Sequence, residues 1–138
     1  MPHHAQLSRR HFVRSCAVVL GAALVPTRRA LASPIPHPTP RPGITGAKVL
    51  TREQLGDDPK LVAVFDGVRA IPQVIDGIRC NCGCASTPGY YSLLSCFEGD
   101  AMARTCPICQ GQAKVAVRLR KEGKSLDDIR VAVDAQFG

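Results

Sequence analysis

Tryptophan is absent from the 138-residue chain, and the other aromatics amount to two tyrosines and four phenylalanines. A core of this size therefore has few large anchors, and a cross-link or a metal would help it hold together. Histidine is nearly as scarce where it would matter. Three of the four lie among the first eleven residues, and the fourth, His37, stands in a proline-rich stretch. Histidine-based acid–base chemistry and a histidine metal site are thereby disfavoured in the rest of the chain. Paired catalytic carboxylates, a phosphate-binding glycine loop and a serine–histidine arrangement are also missing, which disfavours an ordinary hydrolase or nucleotide enzyme. The longest apolar run, Cys16 to Val25, is about half of the roughly 18 residues needed to span a bilayer.

That short run belongs to an ordered set of features. Ser8-Arg9-Arg10-His11-Phe12-Val13 supplies a basic leader, the run follows, and Ala30-Leu31-Ala32 offers a small-residue exit. This is the layout of a cleavable export signal over residues 1–32, and the arginine pair resembles the twin-arginine kind. Arg14 and Ser15 precede Cys16, and the apolar run follows it, which is the wrong order for a lipid anchor on that cysteine. The expected location is periplasmic or otherwise extracytoplasmic, without a membrane span after cleavage. Cleavage also removes a false clue. Five of the 18 basic residues lie in the signal and none of the 11 acidic ones, so the remainder is close to neutral and nucleic acid is not an expected partner.

Pro34, Pro36, Pro38, Pro40 and Pro42 fix φ at every second position, which predicts an extended linker over residues 33–46. Residues 47–138 then form one small domain. Asp58 as N-cap with Pro59 at the first helical position predicts a helix carrying Leu61, Val62, Val64, Phe65 and Val68. Pro72 to Ile75 predicts a shorter one ending near Gly77. Gln110 to Glu122, ended by Gly123, and a last helix opened by Ser125 with Asp128 make an antiparallel pair. The fold class is mainly α, a cysteine-rich helical domain with a C-terminal helical hairpin. Lys114, Arg118, Arg120, Lys121 and Lys124 read as a solvated helix face.

Against these absences stands one concentration of chemistry. Cys80-Asn81-Cys82-Gly83-Cys84, Cys96 and Cys106-Pro107-Ile108-Cys109 place six of the seven cysteines within thirty residues. Three thiols at alternate positions pair with one another only under strain, but they can converge on one soft metal or a small cluster. Gly83 gives the backbone the freedom to turn successive sulfurs inward. The C-x-x-C pair is the spacing that offers two thiolates to zinc, copper(I) or iron–sulfur. Three structural disulfides are the competing reading for an exported domain with an even cysteine count. A twin-arginine route carries chains already folded in a reducing cytoplasm, which suits loading of a metal before export.

The segment from Gly77 to Cys84, followed by Ser92-Leu93-Leu94-Ser95-Cys96-Phe97 and Cys106-x-x-Cys109, resembles the PCYCGC-motif family of small exported bacterial proteins. Arg79 and Asn81 stand where that family usually has proline and tyrosine, and Tyr90 or Tyr91 where a histidine is common, so the resemblance implies an all-sulfur site here. Over a shorter stretch, Cys106 to Gln112 with Gly123-Lys124-Ser125 and Phe137-Gly138 is similar to the CcmH-type thiol proteins of cytochrome c maturation. The Leu-Arg expected before that cysteine pair is replaced by Arg104-Thr105, and no membrane helix follows. Three functions therefore stand open: a non-enzymatic metal-binding protein using Cys80, Cys82, Cys84, Cys96, Cys106 and Cys109 for copper(I), zinc or an iron–sulfur cluster in storage, delivery or sensing; thiol–disulfide exchange at Cys106 and Cys109; and a disulfide-stapled module for an exported protein partner.

Overall fold

The computed structural model describes residues 35–138; the export-signal residues and the first two of the linker lie outside the described residues. Five α-helices follow in order: α1 Arg52–Leu55, α2 Pro59–Ala70, α3 Pro72–Asp76, α4 Pro107–Lys121 and α5 Leu126–Phe137. Short 3₁₀ turns at Cys84–Ser86, Leu93–Phe97 and Met102–Arg104 fill the span between α3 and α4. Extended pairing among the described residues is confined to a single antiparallel bridge, Val49 with Glu98. The domain is mainly helical, and α4 with α5 forms the expected C-terminal hairpin.

The helix starts follow from local chemistry. Asp58 accepts hydrogen bonds from the backbone N–H groups of Lys60 and Leu61, and Pro59 occupies the first position of α2. These satisfy donors that a helix N-terminus otherwise leaves unpaired. Ser125 and Asp128 cap each other at the start of α5 in a reciprocal box. The start of α4 lies three residues earlier than the expected Gln110. The Cys106 thiol accepts from the N–H of Cys109 and Pro107 sits at the first helical position, so the C-x-x-C pair is itself the N-cap and first turn.

Phe65 and Val68 from α2, Ile75 from α3, Leu93, Leu94 and Phe97 from the middle turns, Ala113 and Ala116 from α4, and Ile129 and Val133 from α5 are fully buried. The Phe65 and Phe97 rings meet edge to face, 4.8 Å between centroids. Gly111 is required by close approach: a Cβ there would stand 2.9 Å from two atoms of the Phe137 ring, which closes α5 onto α4. Lys114, Arg118, Arg120, Lys121 and Lys124 are all exposed on the hairpin, as a solvated face requires.

The proline-rich stretch is laid against the domain and fixed by polar contacts. Arg41 donates through its side chain and its backbone N–H to the wholly buried carboxylate of Asp76, at 2.7 Å to Oδ1 and 2.8 Å to Oδ2. The Ser92 hydroxyl donates to the same carboxylate at 2.7 Å. Burial opposes ionisation of Asp76, but these donors outweigh it and hold the carboxyl below its usual range. Arg130 of α5 donates to the carbonyls of Pro38 and Gly77, both at 2.8 Å. The Tyr91 hydroxyl donates to the carbonyl of Thr39 at 2.6 Å, under a ring covered by the Arg41 guanidinium.

Candidate metal centre

Three separate pieces of chain bring sulfur to one place. The first runs from the end of α3 through Ile78 to Cys80, and the turn carrying Cys96 is bonded directly to it. Leu93 N–H donates to the Ile78 carbonyl at 2.7 Å, and Ser92 reaches Asp76. The third piece is the first turn of α4, which points Cys109 inward. Gly83 has φ +92°, a left-handed angle that side-chain-bearing residues rarely adopt, and it reverses the backbone between Cys82 and Cys84.

The resulting sulfur separations are short. Cys80 Sγ lies 3.1 Å from Cys82 Sγ and 3.5 Å from Cys109 Sγ. Cys82 Sγ lies 2.8 Å from Cys84 Sγ and 3.6 Å from Cys109 Sγ. All six cysteines from 80 to 109 are free. Two groups of three have every sulfur within 4.8 Å of the other two: Cys80, Cys82 and Cys109, and Cys80, Cys84 and Cys96. A metal 2.3 Å from each thiolate at a tetrahedral site holds its sulfurs about 3.8 Å apart, so the arrangement is compatible with thiolate metal binding. Cys80, Cys84, Cys96 and Cys109 are buried, while Cys82 and Cys106 are half-buried. Cys106 belongs to neither group of three and serves as the cap of α4.

The thiols influence one another's protons. Hydrogen bonds from Cys109, then Cys96, stabilise the Cys80 thiolate and bring its pKa down to about 2, against the opposing effect of burial. Cys109 is pushed up by the same contacts with Cys80 and Cys96 and by burial. Cys82 is pushed up to about 12 by burial and by its neighbours Cys84 and Cys80. For Cys96, the hydrogen bond from Cys109 favours the thiolate, but its bond to Cys80, burial and the nearby charges prevail and raise it. Burial works against ionisation of Cys106 too, yet the backbone N–H of Cys109 and its thiol prevail and lower it. The lowered Cys80 thiol thus sits among Cys82, Cys96 and Cys109, which are all raised.

A seventh sulfur was not anticipated. Met102 Sδ lies 2.9 Å from Cys84 Sγ, and Met102 is 40% exposed. The 3₁₀ turn that carries it is held to α4 by Gln110, whose Nε2 donates to the Ala103 carbonyl at 2.8 Å. Met102 has no periodic partner in sequence. Its one available signal was rarity, since the only other methionine is Met1.

Residues 44–138 match the family described as "Protein of unknown function with PCYCGC motif". The chain belongs to this family. Neither the curated proteins nor the solved structures give a match. The two positions where this chain departs from the PCYCGC pattern are bonded to each other: Arg79 Nε donates to Asn81 Oδ1 at 2.8 Å. The same guanidinium donates to Asp134 Oδ1 at 3.2 Å and to the Ile35 carbonyl. His37 completes this support. Its Nδ1 accepts from the Arg79 N–H at 3.0 Å, so the ring proton lies on Nε2, 3.0 Å from Asp134 Oδ2. Burial lowers the His37 pKa despite that carboxylate, and protonating Nδ1 would also break the Arg79 bond. With both ring nitrogens engaged, His37 braces the PCYCGC loop from behind. Tyr91 likewise bonds the proline-rich stretch.

A hollow of about 180 Å³ opens beside Cys80, Asn81 and Gly83. The larger hollow between α2 and α4, about 620 Å³, is bordered by Val64, Val117 and lysine side chains and contains no sulfur. The described residues include no helix long and apolar enough to cross a membrane.

Proposed function

We propose that this PCYCGC-family chain is an exported, non-enzymatic protein that binds a soft metal through cysteine thiolates and acts in metal storage, delivery or sensing. The observation that carries this reading is the convergence of five free thiols from three chain segments within ligand distance. The donor set is sulfur alone, the choice of a soft ion. Copper(I) is favoured over zinc by Met102, because a thioether beside Cys84 is a copper(I) ligand and a poor one for zinc. An iron–sulfur cluster would use four thiolates and leave the thioether without a role.

The chain purified without oxygen should carry metal, with the clustered thiols unreactive until a chelator is added and reactive afterwards. A metal-free chain whose cysteines are oxidised would overturn the proposal. A second reading, thiol–disulfide exchange at Cys106 and Cys109, draws on the lowered, half-exposed Cys106 thiol at a helix N-terminus. It predicts instead one reversible disulfide between those two residues, with the other thiols free and no metal present.

The export half of the proposal rests on residues 1–32. With Arg9 and Arg10 both replaced by lysine, the chain should stay in the cytoplasm at its precursor mass. Undiminished appearance of the processed chain outside the cytoplasm would remove the twin-arginine assignment.

A further inference from the structure

We infer, on the basis of the metal-binding reading above, that the cluster takes two copper(I) ions bridged by Cys80. One ion is held by Cys80, Cys82 and Cys109, and the other by Cys80, Cys84 and Cys96. The two groups of three sulfurs share that residue and nothing else. An ion about 2.3 Å from each sulfur cannot reach all five at once, since thiolate sites close at four ligands. Placed in either group, a single ion strands buried sulfurs of the other. Two ions engage all five.

The geometry also selects the ion. Zinc requires four donors in a tetrahedron, and each group supplies three thiols. Copper(I), with a filled d shell and a preference for soft sulfur, is satisfied by three. Met102 Sδ, next to Cys84, adds a thioether to the second group alone. Each thiol that still carries its proton gives it up to solvent on binding, and no change of oxidation state is involved. The negative charge that accumulates on sulfur faces the N-terminal turn of α4, where Cys109 sits, and the positive end of the helix dipole stabilises it there.

The test is an oxygen-free titration of the full chain with copper(I) against a chromogenic chelator, with native mass spectrometry to count ions and copper X-ray absorption to look for a neighbouring copper. Two ions per chain and a short copper–copper scattering path are expected. Cys96→Ser should lower the count to one by removing the ion that Cys84 shares, and Cys82→Ser should lower it to one by removing the ion that Cys109 shares. Cys80→Ser should weaken both together by at least about a hundredfold, since changes merely behind a ligand already cost up to that much. Circular dichroism establishes that each variant is folded, and Cys82, being half-buried, is the substitution the core tolerates best. Saturation at one ion, absence of the copper–copper path, or loss of a single ion from a folded Cys80→Ser chain overturns the bridged pair while leaving metal binding intact. Failure to bind any copper overturns both the bridged pair and the preference for copper(I).

Discussion

Raising the pH by one unit should tighten the binding of a single copper(I) at Cys80, Cys82 and Cys109 about a hundredfold, because two protons leave as the ion enters. The sign follows from the thiols. Cys80 ionises near pH 2, so above that value its sulfur is already a thiolate and its coordination releases nothing. Cys82, pushed up to about 12, and Cys109, also raised, remain protonated through the neutral range, and the metal must displace both protons. Affinity therefore climbs at this rate until Cys82 begins to ionise by itself, and it collapses on acidification. Competition titrations with the Cys96→Ser variant, at pH values one unit apart and with less than one copper per chain, isolate this group. A flat profile would mean that the metal meets thiolates already formed. A tenfold slope would mean that one of the two thiols is not a ligand.

Phe97→Ala should cost about 3–5 kcal/mol of stability and lower the melting midpoint of the metal-free chain by about 15–30 °C. Phe97 is fully buried, its ring meets Phe65 of α2 edge to face, and its carbonyl accepts from the Leu50 N–H at 3.2 Å. The loss approaches the whole margin of a domain this small, for which about 5–15 kcal/mol is usual. Because Phe97 follows Cys96 directly, the same change should loosen the turn that aims the Cys96 sulfur. Phe97→Leu keeps much of the volume and should lose less than about half as much. Thermal unfolding of the three chains decides the matter: equal melting points for wild type and the alanine variant would show that the ring does not anchor the turn.

Elements with strong local punctuation were legible in the sequence. Asp58 with Pro59, and Ser125 with Asp128, are caps whose partners lie two or three residues away, so neighbouring letters contain the whole interaction. The start of α4 was displaced because the sequence reading opens the helix at Gln110, whereas a thiol cap at Cys106 starts it earlier. The four-residue α1 and the turns of three to five residues near the cysteines are too short to carry a period. The cysteines themselves were conspicuous, but their grouping was not. That Cys109 reaches Cys80 while Cys106 caps a helix depends on how α4 meets the turn after α3. The brace behind the loop was least accessible of all, since His37 and Asp134 are 97 residues apart in sequence and nothing in either neighbourhood announces the other.

The unequal burial of the sulfurs separates how tightly an ion is held from how quickly it can leave. Cys96 and Cys109 are sealed from solvent and Cys80 nearly so, whereas Cys82 and Met102 stand at the rim. An incoming ligand can attack an ion only from that rim. On the proposed reading, exchange would begin at the thioether for the ion beside Cys84 and at Cys82 for the ion beside Cys109, with the sealed thiolates last in both. If the proposed ions are held there, the direction from which they could be taken is set by the fold.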